Sequence, residues 1–192
     1  MTIPPPPPVT VVIAIDTSGS MGGTPAREAA KAAQAFVDAL DLSHFSVGVM
    51  AFADRCGWIC KPSKDAKQIK SAINQFENYV NNSVVGGGND TDPFDEIRIK
   101  LARNEFSNQV KYAVVLADGR WDDQLAATVA AKKCDKAGIE VVALGFGGAD
   151  RKFLQDIASK KEYSKFTSLD QLIAVFKEFA RQITIDSISR GR

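Results

Sequence analysis

A chain of 192 residues, 45% hydrophobic and 24% charged, is long enough to bury one substantial core, so it reads as a single domain with appendages. Lys and Arg number 24 against 23 Asp and Glu, a formal net charge of +1 that gives no drive toward nucleic acid or an acidic membrane. No apolar run approaches the roughly 20 residues of a spanning helix and no signal-peptide pattern opens the sequence, so a soluble chain without membrane insertion or a nucleic-acid partner is expected.

The opening MTIPPPPPVT holds five consecutive prolines, a run that adopts extended polyproline II and serves as a semi-rigid spacer. Residues 1–8 are therefore expected to be a linker or tail, 9–185 the domain and 186–192 a C-terminal tail, the whole being a domain of a larger protein or assembly. Apolar strand candidates follow at 9–15, 45–52, 110–117 and 139–146, with weaker ones at 57–60 and 163–167. Between them, 25–40 carries Ala29, Ala32, Phe36, Val37 and Leu40 on one helical face, with Thr24 as cap and Pro25 in the first position. Ile69, Ile73, Phe76 and Val80 form a second stripe, and 93–106 a third helix despite the strand-like alternation of Ile97, Ile99 and Leu101. Helices are also expected at 122–136, ending at Gly138, at 150–160, and at 169–183 with Leu169, Leu172, Ile173, Phe176, Phe179 and Ile183 inward.

Near-continuous apolar strands alternating with helices imply an α/β fold: a mostly parallel sheet with helices on both faces. The closeness of 47–52 to 57–60 adds one antiparallel hairpin at an edge. Cys56, Cys60 and Cys134 are too few for a disulfide scaffold, and their odd number favours a reducing, cytoplasmic setting. Cys56 and Cys60, four apart on one strand, would stand about 13 Å apart, beyond disulfide reach; they read as buried thiols beside Trp58.

In such a sheet, ligands bind beyond the carboxyl ends of the strands where the strand order reverses. VVIAI at 11–15 runs into Asp16, Ser18 and Ser20; Asp118 follows another apolar run; Thr91 lies in GGGNDTDP, where Asp92 can cap a helix and Pro93 can open it. Two carboxylates and three hydroxyls are all hard oxygen donors, and the one histidine, His44, lies elsewhere. This set suits Mg²⁺ or Mn²⁺, with Ca²⁺ a poorer fit, and disfavours zinc or copper. With one carboxylate acting through water, the cation stays electrophilic and seeks another oxygen, ideally a carboxylate from a protein partner.

DTSGS at 16–20, Thr91, and Asp118 in LADG resemble, in order, the three motifs of the von Willebrand factor A domain, also called the integrin I-like domain. The resemblance spans roughly 9–183. It implies a three-layer, Rossmann-like, six-stranded sheet with one antiparallel edge strand, and a metal-ion-dependent adhesion site, or MIDAS. By the same resemblance Ser18 and Ser20 ligate the metal directly, Thr91 directly or through water, and Asp16 and Asp118 at least partly through water, while a partner's Asp or Glu completes the shell. Related domains couple metal coordination to sliding of the last helix, which Ile173, Phe176 and Phe179 would hold here.

The chain departs from the pattern twice. Ala117 replaces a threonine commonly found before the third-motif aspartate, and Asn89 and Asp90 intervene between the glycines and Thr91, so either could contribute instead. The triple glycine 86–88 reads as loop flexibility, lacking a preceding strand and the lysine of a nucleotide loop. Asp122 and Asp123 read as helix-opening acids, and Trp121 as an exposed contact residue. An alternative is a metal-dependent phosphotransferase using Asp16, but Ser18 stands where such enzymes need an aspartate as acid and base, and no nucleophile is evident. A binding module rather than an enzyme is expected; a structural domain with a vestigial site is the other alternative.

Overall fold

The computed structural model describes residues 6–190. Six strands form one sheet: β1 (Val9–Asp16), β2 (Phe45–Phe52), β3 (Cys56–Ser63), β4 (Val110–Ala117), β5 (Ile139–Gly145) and β6 (Ser164–Phe166). Their order is β3-β2-β1-β4-β5-β6, and β3 alone runs antiparallel, against β2. All eight residues of β1 are buried, as expected of a strand paired on both sides and covered on both faces. The edge strands β3 and β6 are mostly half-buried.

Among the described residues, seven helices cover the sheet: α1 (Thr24–Asp38), α2 (Ala66–Ile73), α3 (Phe76–Asn81), α4 (Phe94–Leu101), α5 (Gln124–Lys136), α6 (Arg151–Ile157) and α7 (Leu172–Arg190). They fall into two packed groups, α1 with α2, α3 and α7, and α5 with α4 and α6, which gives the three layers. Phe36 of α1 meets Phe176 of α7 edge to face, ring centroids 6.0 Å apart. No described helix is long and apolar enough to cross a membrane.

Several element boundaries differ from the sequence expectation. α1 begins at Thr24, with Gly23 at φ +73° in the cap position, so Thr24 is helical rather than the cap. The stripe over 69–80 is two helices broken at Asn74 and Gln75, an arrangement that keeps Ile69, Ile73, Phe76 and Val80 all buried. α4 ends at Leu101, and a separate 3-10 turn, Asn104–Phe106, buries Phe106. Ile97 and Leu101 point inward one helical turn apart while Ile99 is exposed, which settles the ambiguous alternation as helix.

The last helix runs to Arg190 rather than 183 and takes in residues 186–190, which the sequence reading left outside the domain; Ser187 is buried. Ile173 is only half-buried, whereas Phe176 and Phe179 are core residues. Of the expected linker, residues 1–5 lie outside the described residues, as do 191 and 192 of the tail. Pro8 accepts from the Val110 N–H at 3.0 Å, tying the approach to β1 against β4.

Candidate metal site at the strand switch

β1 lies between β2 and β4, and the chain order reverses there, so the carboxyl ends of β1 and β4 border the crevice. Ile15 pairs with Leu116, which sets Asp16 and Asp118 at neighbouring strand ends. The turn after Asp16 folds back on it: the Ser18 N–H donates to Asp16 Oδ1 at 2.8 Å. Ser18 Oγ and Ser20 Oγ are 3.2 Å apart, and Ser20 Oγ donates to Asp118 Oδ1 at 2.8 Å. Four of the five expected residues thus form one hydrogen-bonded chain, from buried Asp16 and Ser18 through exposed Ser20 to buried Asp118.

This chain of groups is electrostatically incomplete. Burial pushes the Asp16 carboxyl up to about 7, outweighing the Ser18 hydrogen bonds that favour its charge, and the nearby Asp118 pushes the same way. Asp118 is raised by burial too, against the opposing Ser20 bond. Asp16 Oδ2 is buried with no hydrogen-bond partner among the described residues. Two carboxylates, one of them with an orphaned oxygen, and two hydroxyls fit a hard divalent cation.

The segment 86–92 closes the crevice from the side and is held on three fronts. The Gly19 N–H donates to Gly87 O at 3.0 Å, the Gly87 N–H donates to Asp54 Oδ2 at 3.0 Å, and the Asp122 N–H donates to Asn89 O at 3.2 Å. A β-carbon on Gly86 or Gly88 would overlap the Asp54 carboxylate, and Gly86 has φ +99°. The triple glycine therefore serves close packing on Asp54 rather than flexibility. Asp54 carried no motif; its clue was the β2–β3 turn, which places it beside the loop.

Thr91 does not join the hydrogen-bonded chain. Its N–H donates to Ala53 O at 3.1 Å, and its hydroxyl lies beside the Cys56 thiol. Asn89 and Ser20 both border Gly119: a β-carbon there would be 3.8 Å from Asn89 Nδ2 and 3.9 Å from Ser20 Oγ. Asp92 Oδ1 accepts from the Phe94 N–H at 2.9 Å, but α4 begins at Phe94, so Pro93 stands in the cap position rather than as the first helical residue. Asp123 caps α5, accepting from the Ala126 N–H at 2.8 Å.

Trp121 is the clearest reversal. It is 4% exposed, with ring centroids 5.0 Å from Phe52, 6.0 Å from Phe94 and 5.0 Å from Phe153, so it underpins the Asp118 loop from inside the core. The short polar spacing RWDD looked like an exposed loop, and nothing local revealed the aromatic socket. All three cysteines are free; Cys60 and Cys134 are buried and Cys56 half-buried. Burial pushes the Cys56 and Cys134 thiols up to about 12, so both are poor nucleophiles.

A sheet covered on both faces, with oxygen donors gathered at its switch point, defines a three-layer α/β domain. The von Willebrand factor type A domain model matches residues 10–181, and the chain belongs to that family. A comparison with curated proteins gives no match. Among solved structures, the chain is similar to the vWF domain of the type V pili tip protein Mfa5 from Porphyromonas gingivalis (TM-score 0.75, 12% identity, covering 95% of this chain and 97% of that one). It also resembles the pilus adhesin SpaC from Lactobacillus rhamnosus GG (TM-score 0.74, 18% identity, 92% of this chain and 30% of that one). A third likeness is proximal thread matrix protein 1 from the mussel byssus, in a structure with a zinc-occupied MIDAS motif (TM-score 0.71, 20% identity, 90% of this chain and 47% of that one). The chain thus spans under half of the mussel protein and under a third of SpaC.

Proposed function

We propose that this domain is a divalent-metal-dependent protein-interaction module, in which Asp16, Ser18, Ser20 and Asp118 hold Mg²⁺ or Mn²⁺ and a partner's Asp or Glu completes the coordination. The supporting observation is the buried, unpartnered Asp16 Oδ2 at the head of a hydroxyl and carboxylate chain that reaches the surface at Ser20. When bound, the cation would supply a Lewis-acidic point for a carboxylate oxygen. This chain's residues do the rest: β1 and β4 fix the two aspartates, the Ser18 N–H orients one of them, and Ser20 bridges to the other.

Family membership and the adhesin and matrix-protein likenesses favour binding over catalysis. The oxygen donors favour Mg²⁺ or Mn²⁺ over softer metals, although the zinc in the mussel protein's site makes zinc a necessary comparison. A reducing compartment belongs to the same reading, on the strength of the free thiols.

Calorimetric titration of MgCl₂, MnCl₂ and ZnCl₂ into the domain, alongside folded Asp16→Ala and Ser18→Ala variants, tests the reading. Saturable Mg²⁺ or Mn²⁺ binding that both variants abolish supports it. Equal binding in wild type and variants sinks it.

A further inference from the structure

We propose that the third side of the metal site is closed by the side-chain amide of Asn89, with Thr91 serving only to pin the loop. This inference rests on the metal reading above but commits it to a different residue from the threonine of the sequence motif.

The first support is position. Asn89 Nδ2 and Ser20 Oγ approach a common point, 3.8 and 3.9 Å from where a β-carbon on Gly119 would stand. Residue 119 is glycine, so no side chain occupies that point. The amide rotates about its last bond between two roughly equivalent orientations, so the fold fixes where the group sits and a ligand decides which end faces it. The second support is an unmet need: Asn89 Oδ1 is buried with no hydrogen-bond partner among the described residues. A buried amide oxygen without a donor is disfavoured, and a cation or its water would relieve that cost once the amide turns its oxygen toward Ser20.

The third support is what the neighbours are doing. Thr91 is held to β2 through Ala53 O, and its hydroxyl adjoins the Cys56 thiol. Asp90, the other alternative, is exposed. Asn89 is held by its own backbone, since its carbonyl accepts from the Asp122 N–H and so links its segment to the loop carrying Asp118. Charge is consistent as well. Asp16 and Asp118 balance a divalent ion, and a neutral amide oxygen adds a hard donor without saturating the charge that draws in a partner carboxylate.

The experiment compares Mg²⁺ and Mn²⁺ binding to wild type, Asn89→Ala, Asn89→Asp and Thr91→Val, by calorimetry and by the free-Mn²⁺ electron paramagnetic resonance signal, each variant first shown to be folded by circular dichroism. Asn89→Ala should weaken Mn²⁺ binding roughly tenfold or more, by analogy with the effect of losing a ligand-supporting group. Asn89→Asp should tighten it several-fold by adding a charged donor at the same place, and Thr91→Val should stay within about twofold of wild type. If Asn89→Asp binds no more tightly and Thr91→Val carries the loss, the inference is overturned while the metal reading stands. Equal affinity in all four proteins also overturns the inference alone. No saturable binding to wild type overturns both.

Discussion

Ser20 Oγ donates to Asp118 Oδ1 at 2.8 Å, joining two loops separated by 98 positions in the chain. That bond is the seam between the β1 and β4 halves of the crevice, and its donor is the solvent-facing member of the chain of groups. Ser20→Ala should leave the fold intact, because residue 20 is exposed, and weaken Mg²⁺ binding by roughly tenfold or more. Calorimetry on the variant, with circular dichroism as the fold control, checks both halves of the expectation.

Asp16 makes the metal-free domain pH-sensitive. Its carboxyl titrates near 7 when folded and near 3.8 when unfolded, so between those values the native state holds a proton that the unfolded state has released. Stability from this group is therefore full below about pH 4, falls as pH rises through 7 and is flat above. The difference amounts to on the order of 4 kcal/mol. Asp118, raised by burial as well, acts in the same direction. With chelator present, Asp16→Asn should raise the melting temperature at pH 8 and by less than half as much at pH 5. A Mg²⁺-saturated wild type should lose that weakness at pH 8, because the charged form is then the one satisfied. Thermal melts at the two pH values, with and without metal, decide it.

Gly86 and Gly88 offer a test of how the crevice is walled. A methyl group at either position overlaps the Asp54 carboxylate, and at Gly86 the backbone is also in a region that side chains disfavour. Gly88→Ala should displace the 86–92 segment and lower Mg²⁺ affinity, with a stability loss of roughly 1–3 kcal/mol by urea unfolding. Asp54→Ala combined with Gly88→Ala should recover part of the stability, since the clash is gone. A double variant as destabilised as the single one would count against packing as the reason for the glycines.

What the sequence made legible follows from period and punctuation. β1, β2, β4 and β5 are unbroken apolar runs bounded by polar turns, and each lay within a residue or two of its expected place. That Asp16, Ser18, Ser20 and Asp118 come together was legible because the first three stand at one strand end, the last at another, and the two strands are neighbours at the switch point. Where Asn89 and Asp54 stand was obscured because it depends on how two loops cross, and so does the tie of Thr91 to Ala53 O. Trp121 was misread for the same reason: its burial comes from Phe52, Phe94 and Phe153, each far from it in sequence.

Trp121 turns that lesson into a measurement. As a core residue it should cost roughly 3–5 kcal/mol when cut to alanine, whereas an exposed contact residue would cost little. Trp121→Phe keeps the ring contacts and should cost far less, its Nε1 having no hydrogen-bond partner to lose among the described residues. Urea denaturation of the two variants separates these cases.

The end of α7 lies by the amino ends of β5 and β6, whereas the crevice lies at the carboxyl ends of β1 and β4, and it is held by polar contacts. The Tyr163 hydroxyl donates to the Asp186 carboxylate, Arg190 pairs with Glu140 at the start of β5, and Lys160 Nζ stands 3.4 Å from Glu140 and 3.6 Å from Asp186. A chain ended after residue 185 removes Asp186 and Arg190, leaving the buried Tyr163 without its acceptor and Glu140 with only Lys160. An unsatisfied buried polar group costs about 1–3 kcal/mol, and each kcal/mol moves the melting temperature of a domain this size by about 2–4 °C. A drop of roughly 5–10 °C is expected, and an unchanged melt would mean the last turn contributes nothing. Mg²⁺ affinity of the same shortened chain answers a separate question. Because the contacts lie far from Asp16 and Asp118, a rigid domain keeps its affinity, whereas a changed affinity in a still-folded chain means that α7 and the crevice share a conformational equilibrium.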